Sequence, residues 1–95
     1  MTDNLAVEPL PQSLELIAAE PLCRKLQDKL HSARPILLDG SRVERISTPC
    51  LQILVAASKS AQARSVSFEL RAPSKVLLDA LADLGLEQAL TRSDM

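Results

Sequence analysis

Between Arg34 and Gly40 the chain reads Pro35, Ile36, Leu37, Leu38, Asp39, an apolar run with no alternation. A strand with one wet face alternates apolar and polar side chains. A continuous run instead fits a strand buried on both faces, as in parallel sheets joined by crossover helices. On either side of it the apolar period becomes helical. Leu22, Leu26 and Leu30 recur at i, i+4 and i+8, with Ala19 and Cys23 beside them and Arg24, Lys25, Asp28 and Lys29 on the wet face. This first helix starts at Ile17 or at Pro21, since proline is tolerated in a first turn, and runs to His31.

After the central run, Thr48 as N-cap and Pro49 at the first helical position open a second helix. Leu51, Leu54, Val55 and the stretch 57–61 make it apolar nearly all round in its first half, so it is expected to be the most buried helix, ending near Arg64. Ser65 to Leu70 alternates, with Val66, Phe68 and Leu70 on one face, and predicts a half-buried strand. Ser74 then caps a third helix with a stripe of Leu77 or Leu78, Leu81 and Leu84, and Gly85 stands where a left-handed residue ends it. Leu5 to Pro9 reads as a short edge strand ended by Pro9 and Pro11. Pro11–Leu16 and Val43–Ile46 read as connections, Leu86 to Leu90 as a last short element, and 91–95 as a frayed end.

Strand and helix thus alternate three times. This implies an α/β fold, a small and mostly parallel sheet with helices packed mainly on one face. The 95 residues make one domain, 1–95, with its core at about 5–90.

The core must be aliphatic, because the chain has no Trp, no Tyr and a single Phe, Phe68. Such a chain has no aromatic platform for stacking single-stranded nucleic acid. A net charge of −1 with interleaved signs argues against phosphate-driven nucleic-acid binding and against a polybasic membrane surface. No stretch approaches the roughly 20 apolar residues of a membrane span, and the first residues are polar, so no direct membrane insertion and a cytoplasmic location are expected. Cys23 and Cys50 read as reduced, buried small hydrophobes. With the lone His31, which reads as a surface residue, they cannot complete a structural zinc site without carboxylates. Gly40 and Gly85 are too few for a phosphate loop. No metal, cofactor or catalytic residue is expected, and the chain is read as a non-enzyme.

Two positions carry chemistry. Asp39 ends the apolar strand on its C-terminal side, where α/β sheets place function; the plainer reading is a turn residue bonded to the Gly40–Ser41 backbone. Glu44 and Arg45 read as a solvated pair. Ser47 and Thr48 lie just before a helix, where a hydroxyl caps, and where an added phosphate would be favoured by the helix dipole and free amides.

The stretch from Leu38–Asp39–Gly40–Ser41 through Ser47–Thr48–Pro49–Cys50–Leu51 to Leu54 resembles the central segment of STAS domains, the family of bacterial anti-sigma-factor antagonists. There a strand ending in a Leu-Asp-Leu-Ser-like pattern is followed by Asp-Ser/Thr-x-Gly-Leu at the start of a helix. Ser67 to Leu70, Ala72–Pro73–Ser74 and Leu81 to Leu86 resemble the strand, turn and Leu-rich helix that follow, and the likeness covers roughly Leu14 to Leu90. It places the phosphorylatable hydroxyl of the family on Thr48, or less directly on Ser47. Ser47 stands where the family has Asp, Cys50 where it has Gly, and Pro49 where it has a small residue.

The N-terminal part is short, with one strand where the full family has two. With Cys50–Leu51–Gln52 at the helix start, it looks like the branch of small STAS proteins of bacterial chemotaxis operons. The resemblance implies a regulatory module that binds the chemotaxis histidine kinase, or a related GHKL-type kinase, and modulates phosphoryl signalling. It equally accommodates an anti-anti-sigma factor on an anti-sigma kinase, or the cytosolic STAS subunit of a lipid-transport ABC complex. The expected docking residues are Asp39, Ser41, Arg42, Arg45, Ser47, Thr48 and Gln52.

Overall fold

A computed structural model describes residues 7–83 and Gly85. The chain runs β1 (Val7–Pro9), β2 (Ser13–Leu14), a 3-10 turn (Leu16–Ala18), α1 (Ala19–Ser32), β3 (Ile36–Asp39), β4 (Arg45–Ile46), α2 (Thr48–Ala63), β5 (Phe68–Arg71) and α3 (Lys75–Asp83). β1, β3 and β5 form a parallel sheet with β3 in the middle, and β2 and β4 form a separate parallel pair. This is the expected small α/β architecture, with one departure. The two segments read as connections, before α1 and before α2, contain strands that pair with each other: Ser13 opposite Arg45 and Leu14 opposite Ile46. The N-terminal part therefore has two strand segments rather than one. Two residues per strand are too few to leave a periodic signal in sequence.

β3 is buried as its sequence requires. Ile36 and Leu38 join the main core cluster with Leu22, Leu26, Leu54 and Leu70. Leu37 points to the opposite face by the alternation of a strand, and it is still only 5% exposed. Each fully buried leucine contributes roughly 1.5–3 kcal/mol of transfer free energy.

α1 buries Leu22, Leu26 and Leu30, the stripe read from its spacing. It begins at Ala19, between the two expected starts, with Pro21 in its first turn and the 3-10 turn ahead of it. Cys23 is half-buried on its flank rather than buried. No glycine ends α1; Ala33 takes the left-handed conformation (φ 57°) and donates its amide to the Leu30 carbonyl at 3.1 Å. Pro35 lies two residues beyond, where the helix can no longer continue. α2 buries Cys50, Leu51, Leu54, Val55, Ala57 and Ala61, more than either neighbour, and Arg64 follows its last residue.

β5 starts at Phe68, later than the alternation implied, because Ser65 is left-handed (φ 59°) and turns the chain after α2. In α3 Leu77 and Leu81 are buried and Leu78 is exposed, which decides between the two stripes; Leu84 lies outside the described residues. Ser74 caps this helix as expected, its Oγ accepting from the Leu77 amide at 3.1 Å while donating to the Val43 carbonyl at 2.6 Å. Gly85 is left-handed (φ 68°) and donates its amide to the Ala82 carbonyl. The short element expected at Leu86 to Leu90, the frayed end, and Leu5 also fall outside the described residues.

Gly40 follows β3, and its absence of a side chain matters. A Cβ there would sit 2.7 Å from Leu77 Cδ2, 3.3 Å from Leu70 Cδ1 and 3.3 Å from the Pro73 Cα. Leu77 is fully buried and cannot retreat. The Gly40 carbonyl accepts from the Val43 and Ser74 amides, so the turn after β3 is tied to the start of α3. Gly40→Ala is therefore expected to lower the stability of the domain by about 1–3 kcal/mol, the usual cost of overpacking. The midpoint of urea unfolding measures it, and an unchanged midpoint would contradict this packing.

Candidate functional site

The residues expected to dock a partner fall into two groups. The first is the turn after β3. Asp39 Oδ1 accepts from the Ser41 amide at 2.9 Å, an Asx-type turn that fulfils the plainer reading of this aspartate. That bond, the Ser41 hydroxyl and the nearby Arg42 charge hold the Asp39 carboxyl below its ordinary value of 3.8. Ser41 and Arg42 are exposed. This turn is pinned from behind by Gly40 and Ser74, as described above.

The second group surrounds the start of α2. Here the expected roles of the two hydroxyls exchange. Ser47, not Thr48, is the N-cap: it is extended (φ −90°, ψ 157°) and its Oγ accepts from the Cys50 amide at a long 3.4 Å. Thr48 is the first helical residue and Pro49 the second. The one-residue slip has a plain cause. The Ser47 amide is held by the Leu14 carbonyl at 2.8 Å, which keeps Ser47 in the extension of β4 and outside the helix. Thr48 is exposed, and its hydroxyl has no hydrogen bond among the described residues. Gln52 is exposed one turn later. Pro49 carries no amide and the Cys50 amide is taken by Ser47, so this helix start has fewer free donors than the sequence suggested.

Arg45 and Glu44 do not form a pair with each other. Arg45 Nη1 lies 3.7 Å from Glu15 Oε2, and Glu44 Oε2 accepts from Gln12 Nε2 at 3.1 Å. Both partners come from the segment that holds β2, because β2 and β4 lie side by side. Both Arg45 and Glu15 are mostly exposed, so the pair adds little stability. No hydrogen bond or ion pair joins the Asp39–Ser41 turn to Thr48 among the described residues. The two groups are separate parts of one end of the fold, not a shared constellation.

Three residues not among the expected docking set lie at or against α2. The Cys50 thiol is fully buried and donates to the Glu15 carbonyl at 3.3 Å, so it ties the segment before α1 to the first turn of α2. The next two residues, Leu16 and Ile17, are 70% and 90% exposed. They are the most exposed large hydrophobics among the described residues and stand in the 3-10 turn that contacts α2. The signal for them was present in the sequence. Leu16–Ile17 lie off the Leu22–Leu26–Leu30 stripe, so nothing in α1 requires their burial.

His31 is exposed at the far end of α1, with Nδ1 3.0 Å from the Gln27 carbonyl, as a surface residue would be. Among the described residues no three of His, Cys, Asp and Glu cluster as metal ligands, and no helix is long and apolar enough to cross a membrane. An apolar cavity of about 160 Å³ lies between β1 and α1, and none of the seven expected docking residues lines it.

A protein-family model described as "Mlab, STAS domain" matches residues 10–92 of the chain. Neither a curated protein nor a solved structure gave a match.

Two measurements test this geometry. Ser47→Ala is expected to lower stability by about 0.5–1 kcal/mol, the low end for a cap, while Thr48→Ala changes it by less. The reverse order in thermal unfolding would reinstate Thr48 as the cap. For Asp39 the folded carboxyl titrates below its unfolded value, so its contribution to stability is present above the unfolded value and lost as pH falls through the folded one. A carboxyl-carbon NMR titration is expected to place the Asp39 midpoint below 3.8, and Ser41→Ala, which keeps the amide and removes the hydroxyl, to raise it only part of the way.

Proposed function

The chain belongs to the STAS domain family, whose members are generally binding modules rather than catalysts, and we propose that it docks on a protein kinase through the start of α2 and the turn after β3. The partner in this reading is a GHKL-type kinase, with the chemotaxis histidine kinase as the first candidate although the second N-terminal strand segment removes the shortness that set that branch apart, and docking modulates its phosphoryl flow. The observation that carries the reading is the exposed, unbonded hydroxyl of Thr48 at the first position of α2, with Ile17 90% exposed beside that helix.

Chemically, the surface has the makings of an interface. Leu16 and Ile17 supply apolar area, and Arg45, Arg42, Ser41 and Gln52 supply an exposed polar rim. A stable complex needs roughly 800 Å² from each partner, and in this reading the turn, the helix start and the 3-10 turn supply most of it. A phosphate on Thr48 would add close to two negative charges at the centre of this surface. With few free amides to receive it, the phosphate would act as surface charge and oppose docking, leaving the domain folded.

The same surface serves the two other partners that the STAS resemblance allows, an anti-sigma kinase or the ATPase of a lipid-transport ABC complex. The experiment is a pull-down of the tagged protein from its native cytosol, with the wild type, Arg45→Glu, Ile17→Asp and Thr48→Asp. The expected result is recovery of a chemotaxis histidine kinase, lost with Arg45→Glu and reduced at least tenfold with Ile17→Asp and Thr48→Asp, as for a central interface residue. Recovery of an anti-sigma kinase or a transporter ATPase would keep the surface and replace the pathway. Unchanged recovery by all three variants would overturn the surface itself.

A further inference from the structure

The cavity between β1 and α1 is unused by the docking surface, and its chemistry is distinct. Its walls are leucines: Leu10, Leu14 and Leu38 on the strand side, Leu22 and Leu26 on α1. Each is at most 7% exposed, so core packing fixes these walls in place. Ala18 and three prolines, Pro9, Pro11 and Pro21, complete them. The Leu10 amide is already bonded to the Asp39 carbonyl at 2.9 Å. Charge enters only at the rim, where Lys25 Nζ and Glu8 Oε2 close on each other at 2.6 Å.

We propose that this cavity is a binding site for a small neutral apolar group, a short hydrocarbon chain or a single ring. Size and charge both lead there. An apolar cavity of about 150 Å³ accepts a benzene-sized guest, and this one, partly open to solvent, measures about 160 Å³. Water inside it finds few polar partners, because the walls are mostly aliphatic carbon. The rim offers a charged head no free partner. Lys25 and Glu8 already neutralise each other, so a carboxylate or an ammonium would have to part that pair to gain a contact there. Occupancy would be felt at Leu14, whose carbonyl holds the Ser47 amide, and at Leu38, which precedes Asp39.

The test is a titration of the full chain with benzene, followed through leucine methyl NMR signals. Saturable shifts are expected in Leu10, Leu14, Leu22, Leu26 and Leu38, with Leu77 and Leu81 of α3 unmoved. Hexanoate and hexylammonium are expected to bind at least tenfold more weakly. Ala18→Leu, which adds bulk to the cavity lining, is expected to weaken benzene at least tenfold. Shifts that grow linearly without saturating, that reach α3 equally, or that hexanoate matches would overturn the proposal. If Ala18→Leu does not fold, the comparison of benzene with hexanoate on the unaltered chain decides it.

Discussion

The backbone of Ile36–Asp39 is held between two parallel neighbours, and its side chains are buried on both faces of the sheet. Ile36 and Leu38 meet the core that α1 and α2 build, so the position of both helices follows from this strand. The turn after it inherits that fixity. Gly40 is clamped by Leu77, Leu70 and Pro73, and its carbonyl is shared by Val43 and Ser74. The result is that Asp39 and Ser41 are displayed from a point with almost no freedom to move. A surface that must present the same side chains to a partner each time gains affinity from such rigidity, because less conformational entropy is lost on binding.

The start of α2 is positioned by a different device. Two residues of β2 lie beside two of β4, the Leu14 carbonyl holds the Ser47 amide, and the Cys50 thiol reaches the Glu15 carbonyl. Together these bonds set the segment before α1 against the segment before α2, although 35 residues separate Glu15 from Cys50. The exposed Leu16 and Ile17 are held there and do not fold back onto α1. Cys50, buried in the first turn of α2, adds one weak thiol hydrogen bond between these two segments.

Much of this fold was legible because it rests on periodicity. The i, i+4, i+8 leucines of α1, the unbroken run of β3 and the Ser74 cap each leave a local pattern, and each is found where the pattern put it. What escaped was non-local. Strands of two residues carry no period, so the β2–β4 pair was read as two connections. The same pairing draws Ser47 out of α2 and makes it the cap in place of Thr48, and it turns Arg45 towards Glu15 and away from Glu44. The candidate site residues are thus named from type and place in the chain, while their hydrogen-bond and ion-pair partners depend on a pairing the chain does not announce. Cys23 and Cys50 illustrate the same limit, since similar apolar settings gave one half-buried and one fully buried thiol.

The aliphatic core has an optical consequence. With no Trp and no Tyr, the chain has almost no absorbance near 280 nm and no intrinsic emission of practical use. Phe68, the single aromatic side chain, is packed half-buried against the core and reports weakly on it. In a mixture with a tryptophan-bearing protein excited in the tryptophan band, the intrinsic fluorescence therefore belongs to the other molecule. The domain acts as a dark ligand, so a complex can be followed from its partner's side, without a label and without subtracting a background.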